Sequence, residues 1–106
     1  MASGPRRSQQ QLQVNLRYSI RAKVDIDIAM GWYEGQRKGL GLEFLNCLEG
    51  AINLILENPK LFSIKYKRFR SALIRRFPFS VFYTIEKSEI VVHAVFDNRQ
   101  DPAKNP

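Results

Sequence analysis

Only one cysteine, Cys47, stands in the chain, so no internal disulfide and no cage of cysteines around a metal can form, and a reducing compartment is the simplest setting. Six glycines and five prolines are too few for a collagen-like or low-complexity chain. Nowhere do about 18 uncharged apolar residues run together, as a membrane-spanning helix requires, so a soluble cytoplasmic protein without membrane contact is expected. Residues 1–13 carry Arg6 and Arg7 and then a glutamine run in place of an apolar segment, which is not a secretory signal. Residues 1–11 read as a disordered polar leader. No P-loop, dinucleotide fingerprint, zinc spacing or calcium loop is present, so neither a cofactor nor a metal is called for.

Acidic residues are scarce as well. Ten Asp and Glu face seventeen Lys and Arg, for a net charge of +7. The excess is concentrated: residues 60–76 hold Lys60, Lys65, Lys67, Arg68, Arg70, Arg75 and Arg76 with no acid among them. Such a segment favours an anionic companion, either phosphate or a protein rich in Asp and Glu. Arginine offers a planar fork that fits both, yet it stays protonated and cannot serve as a general base. A cluster of this kind binds anions without activating a nucleophile.

What remains is ample for one small domain. The chain has 106 residues, 44% of them apolar, which fits a single core over residues 12–102 with a short tail at 103–106. Leu12, Val14, Leu16 and Tyr18 alternate with polar residues, the period of a strand with one buried face. From Arg21 the spacing changes to that of a helix, with Val24, Ile28 and Trp32 four apart and Ile26, Ala29, Met30 and Tyr33 beside them. Trp32-Tyr33 reads as core packing rather than as a base-stacking pair. Gly35 to Gly39 forms a short connection to a second helix over about Leu40–Glu57, halted by Asn58-Pro59. Cys47 falls within its apolar span as a small core residue.

Strands follow at about Tyr66–Phe77, Ser80–Glu86 and Glu89–Asp97, with Lys87-Ser88 as a hairpin turn. The fold class expected is α+β: an N-terminal strand, a helical hairpin, then a three-stranded antiparallel meander, with the helices packed on one face of the sheet. The other face is left partly open, its arginines awaiting a negative partner, and some of the many strand aromatics are expected to meet that partner. His93, the one histidine, reads as a packed or solvent-facing strand residue, and no catalytic residue is nominated.

Several words of the sequence, in order, resemble the RelE/ParE toxins of bacterial type II toxin-antitoxin systems. They are Ala22 to Asp25, Trp32-Tyr33-Glu34, Gly39-Leu40-Gly41 with Phe44-Leu45, Glu57-Asn58-Pro59 before Phe62, Phe77-Pro78-Phe79-Ser80-Val81-Phe82-Tyr83, Ala94-Val95-Phe96 and Asn98-Arg99-Gln100-Asp101-Pro102. The resemblance implies a small growth-inhibiting toxin, of the kind tied to plasmid stabilisation, held inactive by a cognate antitoxin. It implies one of two targets, DNA gyrase or the ribosome with its messenger RNA. Cleaving members of that family place two lysines on the second strand, an arginine on the third, another after the last strand, and a tyrosine near the C-terminus. The matching positions here are Arg70, Ala72, Ser80, Arg99 and Asn105, of which only the arginines carry charge. Many relatives also carry a histidine where this chain has Asp97. Cleavage of RNA needs a proton acceptor beside its cations. The first expectation is therefore a gyrase-like toxin acting by binding, with Arg68, Arg70, Arg75, Arg76 and Arg99 contacting target or antitoxin. The alternatives are a ribosome-dependent endoribonuclease and a nucleic-acid-binding module without toxicity.

Overall fold

The computed structural model describes residues 15–100. The leader at 1–11, the tail at 103–106, and Leu12 and Val14 of the first strand lie outside them. The elements run β1 (Asn15–Tyr18), α1 (Ile20–Gln36), α2 (Leu40–Glu57), β2 (Ile64–Tyr66), β3 (Phe69–Leu73), β4 (Phe79–Glu86) and β5 (Glu89–Asp97). The strands form one sheet in the order β1-β5-β4-β3-β2. β1 lies parallel to β5, and the other pairs are antiparallel. Among the described residues no helix is long and apolar enough to cross a membrane.

The α+β class and the helical hairpin agree with the sequence pattern, but the meander has four strands rather than three. The strand expected over Tyr66–Phe77 is two strands and a loop. Lys67, in the left-handed region at φ 51°, and Arg68 turn the chain between β2 and β3. Neither Gly nor Asn marks that turn. β3 ends at Leu73, and a second left-handed residue, Arg76 at φ 71°, helps fold the chain back so that Ile74 N–H reaches Phe79 O at 2.9 Å.

The helices cover one sheet face. Ala22, Ala29 and Tyr33 of α1 and Phe44, Leu48, Ala51, Ile52 and Ile55 of α2 join Ala72, Val81, Tyr83, Ile90, Val92 and Val95 in one core. Tyr83 passes beneath α2 and donates its hydroxyl to Pro59 O at 2.6 Å, fixing the end of that helix to the sheet. On the opposite face Phe82 and Phe96 stack with centroids 6.0 Å apart. Both are buried, so they are not the partner-facing aromatics expected from the sequence.

The corner between β1 and α1 rests on Ser19. Its hydroxyl accepts from Ala22 N–H at 3.0 Å, capping the helix, and donates to His93 O at 3.0 Å. That carbonyl belongs to an irregular point of β5, where Phe82 pairs with Ala94 but Tyr83 pairs with Val92. Further along the same strand, Asp25 of α1 accepts from Val95 N–H at 3.0 Å. The N-cap serine and an aspartate of α1 thus satisfy backbone groups of β5 beyond the last residue paired with β1.

The hairpin of helices closes through Glu34 and two glycines. Gly39 sits at φ 89°, and the Glu34 carboxylate accepts from Gly39 N–H at 2.9 Å and Gly41 N–H at 3.0 Å. Those backbone donors hold the Glu34 carboxyl below the usual carboxylate range. A Cβ on Gly41 falls 2.8 Å from Met30 O of the facing helix, too close for either backbone to stay in place. Gly41→Ala is expected to destabilise the protein by about 1–3 kcal/mol in urea unfolding. Gly50→Ala, on the same helix with open space around it, is expected to gain up to ~1 kcal/mol from helix propensity. Equal behaviour of the two variants would show that the helices do not need this approach.

Candidate functional site

α1 carries more apolar surface than the sheet can cover. Ala22, Ala29 and Tyr33 turn inward, with Ile26 and Met30 half-buried beside them. The stripe spaced by four stays outside: Ile20 is 80% exposed, Val24 48%, Ile28 66% and Trp32 51%. The sequence reading of Val24, Ile28 and Trp32 as core is corrected here. Both stripes cannot face one sheet, and the inner stripe has the small alanines that permit close approach.

Beside this stripe lies a groove of 470 Å³ between α1 and the end of β5. Its floor is apolar, formed by Ala29, Tyr33, Phe79 and Val95, and its rim carries Arg21, Asp25, Trp32, Asp97 and Arg99. Arg99 grips both oxygens of Asp97 at 2.9 Å and lays its guanidinium 5.6 Å from the centre of the Trp32 ring. Hydrogen bonding from Arg99 holds the Asp97 carboxyl below its ordinary range. Asp97 is thus locked to a cation. Arg21 pairs with Asp25 at 3.6 Å on the opposite rim. Burial raises the Tyr33 phenol. The groove is thus a mostly apolar trough with balanced charge along its edges, suited to an amphipathic segment.

The five arginines singled out from the sequence are dispersed. Only Arg99 belongs to the groove. Arg68 is at the β2–β3 turn, 3.4 Å from Glu86. Arg70 donates to Phe62 O at 2.7 Å and is 3.5 Å from Lys60 O, so it braces the loop after α2. Arg76 reaches Glu43 in the first turn of α2 at 2.9 Å, and with Arg37 it holds that carboxyl below its usual range. Arg75 is exposed and has no ion pair among the described residues. The cations of residues 60–76 therefore do not share one uncovered sheet surface. Alternation scattered them: Arg70 and Ala72 lie on the helix side of β3, whereas Ser80 lies on the other side of the sheet, bonded to Asn98 at 3.0 Å.

His93 is part of a small polar relay on the face away from the helices. The Thr84 hydroxyl donates to Glu86 at 2.7 Å, so its oxygen is left to accept from His93 Nε2–H at 2.9 Å, and Phe69 packs edge-on against the imidazole at 5.0 Å. Burial pushes the His93 ring below its usual range; Arg68 and Arg17 push the same way, and Glu86 opposes them. The unfolded chain then takes up this proton more readily than the folded one. The neutral ring's stabilisation is complete above about pH 6.5 and is lost as pH falls through the depressed folded value. Urea midpoints are expected to drop between about pH 7 and 5 more steeply for the parent than for His93→Gln. Parallel curves would assign the drop to other groups. Among the described residues no three His, Cys, Asp or Glu side chains gather to hold a metal ion. Cys47 is half-buried against the core.

Comparison with known proteins places this geometry. The family model described as the ParE toxin of type II toxin-antitoxin systems, parDE, matches residues 16–102. No curated protein sequence matches the chain. A structure of the chromosomal ParDE toxin-antitoxin system from P. aeruginosa aligns with TM-score 0.71 at 14% identity, over 81% of this chain and 97% of that one. YafQ from E. coli strain BL21(DE3) aligns with TM-score 0.56 at 14% identity, over 82% and 96%. The toxin-antitoxin complex DinJ-YafQ from E. coli gives TM-score 0.56 at 14% identity, over 82% and 94%. At such identity the structures speak for the fold.

Proposed function

The chain belongs to the ParE toxin family of type II toxin-antitoxin systems, and on that footing we propose that it arrests growth by binding a cellular target of the gyrase kind, and that a cognate antitoxin neutralises it by seating on α1. The observation that carries the antitoxin reading is the uncovered stripe Ile20, Val24, Ile28 and Trp32 beside an apolar trough. A solved relative, YafQ, is itself recorded in complex with DinJ. An antitoxin segment with apolar residues toward α1 and carboxylates toward Arg21 and Arg99 matches what the groove offers.

Binding rather than cleavage is supported by what the charged groups are already doing. Arg70 is spent on backbone carbonyls, Arg99 on Asp97, and the position of a strand lysine is taken by the buried Ala72. Among the described residues the carboxylate beside Arg99 is Asp97, and its two hydrogen bonds from that guanidinium and its lowered pKa make it a weak acceptor for a 2′-hydroxyl proton. The test is induced expression in a bacterium with DNA and protein synthesis labelled separately. Early loss of DNA synthesis is expected, with growth restored by co-expression of the small protein encoded beside this one. Early loss of protein synthesis with cut messages would overturn the reading in favour of the endoribonuclease, and unhindered growth would overturn toxicity itself.

A further inference from the structure

The groove and Arg99 lie toward the far end of β5; the opposite end of the sheet gathers a different set of groups. The β2–β3 turn, the β4–β5 turn and the start of β1 all meet there, since Glu86 pairs with Glu89, Asn15 pairs with Glu89, and Arg68 reaches Glu86 at 3.4 Å. This brings Arg17, Lys67, Arg68 and Lys87 to one end of the sheet from three separate stretches of sequence, with Lys65 next along β2 over the open face toward Ser71 and Leu73; Glu86 and Glu89 are the carboxylates paired there among the described residues. The two carboxylates pair with Arg17 and Arg68, whose side chains remain 59% and 70% exposed, so these pairs are weak and open to exchange. The three lysines have no ion pair among the described residues. Tyr66, 55% exposed, stands between Lys65 and Lys67, with the Lys67 ammonium 5.4 Å from its ring centre.

We propose that this end of the sheet is a binding surface for single-stranded nucleic acid, with Lys65, Lys67, Lys87, Arg17 and Arg68 on successive phosphates and the Tyr66 ring stacking a base. The exposed Tyr66 ring offers a base a face to stack on, with the Lys67 ammonium beside it for the adjoining phosphate, an arrangement that holds single strands whatever their sequence. Strand spacing supports the span. From the β2–β3 turn across to β1 is about 17 Å at ~4.8 Å per strand, the length of roughly five stacked nucleotides at ~3.4 Å each. The surface is separate from the antitoxin groove and adds to the function proposed above without depending on it.

The experiment is fluorescence anisotropy of a labelled ten-nucleotide single-stranded RNA titrated with the full chain. Five phosphate contacts at a slope of ~0.7 each predict a loss of affinity of roughly 130-fold between 50 and 200 mM salt. Charge reversal of Lys65, Lys67 and Lys87 to Glu is expected to abolish binding, while reversal of Lys23, Lys38 and Arg75, which changes net charge equally but lies elsewhere, leaves most of it. Tyr66→Ala, which alters no charge and removes an exposed side chain, is expected to weaken binding roughly tenfold. Leu54→Ala, at an exposed position of α2, should bind RNA as the parent does. Equal losses in the two reversals, an unchanged Tyr66→Ala, displacement of the RNA by poly-glutamate at matched charge, or no binding at 50 mM salt would each overturn the proposal.

Discussion

Phe44→Ala is expected to lower the free energy of unfolding by about 3–5 kcal/mol, the range for an aromatic ring removed from a closed core. Phe44 is 0% exposed. Its ring lies 5.5 Å from Tyr33 on α1, 5.3 Å from Phe77 and 5.2 Å from Phe79, so one side chain of α2 joins the helical hairpin to the sheet. Polar groups cannot refill the space, because aromatic edges and faces line it. A domain of this size has about 5–15 kcal/mol in total, so the loss brings the variant close to unfolding. Leu54→Ala, on the same helix but 48% exposed, is expected to stay within about 0.5 kcal/mol. Urea unfolding followed by circular dichroism measures both. A Phe44→Ala variant as stable as Leu54→Ala would mean that the helices hold to the sheet by other contacts.

Trp32→Ala is expected to weaken the antitoxin complex by roughly 30-fold or more, the ~2 kcal/mol typical of a large aromatic anchor in an interface. Trp32 is half-exposed, stands at the end of the apolar stripe, and meets both Tyr33 at 5.1 Å and the Arg99 guanidinium. Its removal deletes contact area and also frees Arg99 from one of its two neighbours. Because the ring is outside the core, folding is little affected, and calorimetric titration with purified antitoxin isolates binding. Ile28→Asp, which places a charge in the middle of the stripe, is the stronger variant and should abolish rescue of growth on co-expression. Wild-type affinity in both variants would move the antitoxin to another surface.

Periodicity gave the helices, the β4–β5 hairpin and the first strand, because each has local punctuation: Asn58-Pro59, Lys87-Ser88, a change of period at Arg21. It missed the turn at Lys67-Arg68, since a lysine forced to positive φ leaves no mark in composition. It also misplaced Trp32. An apolar pattern covering two stripes of one helix records that both will be buried in the end, but not that one awaits a second molecule. A helix of seventeen residues with nine apolar side chains in two stripes, packed on a five-stranded sheet, carries that signal in its width alone. The arginines misled for a different reason. Charge density along the chain was real, yet Glu43, Glu86 and Asp97, remote in sequence or simply uncounted as partners, were needed to say which arginines were free.

The pairing of β1 with β5 sets a timetable for folding. Leu16 and Arg17 find their sheet partners Ile90 and Val91 only after some seventy further residues have been made. At bacterial translation rates that delay is on the order of ten seconds, during which β1 has no neighbour and the corner at Ser19 has no carbonyl to hold. The sheet is therefore not whole until β5 has been made. The groove beside α1, walled on its other side by the end of β5, takes shape only then as well.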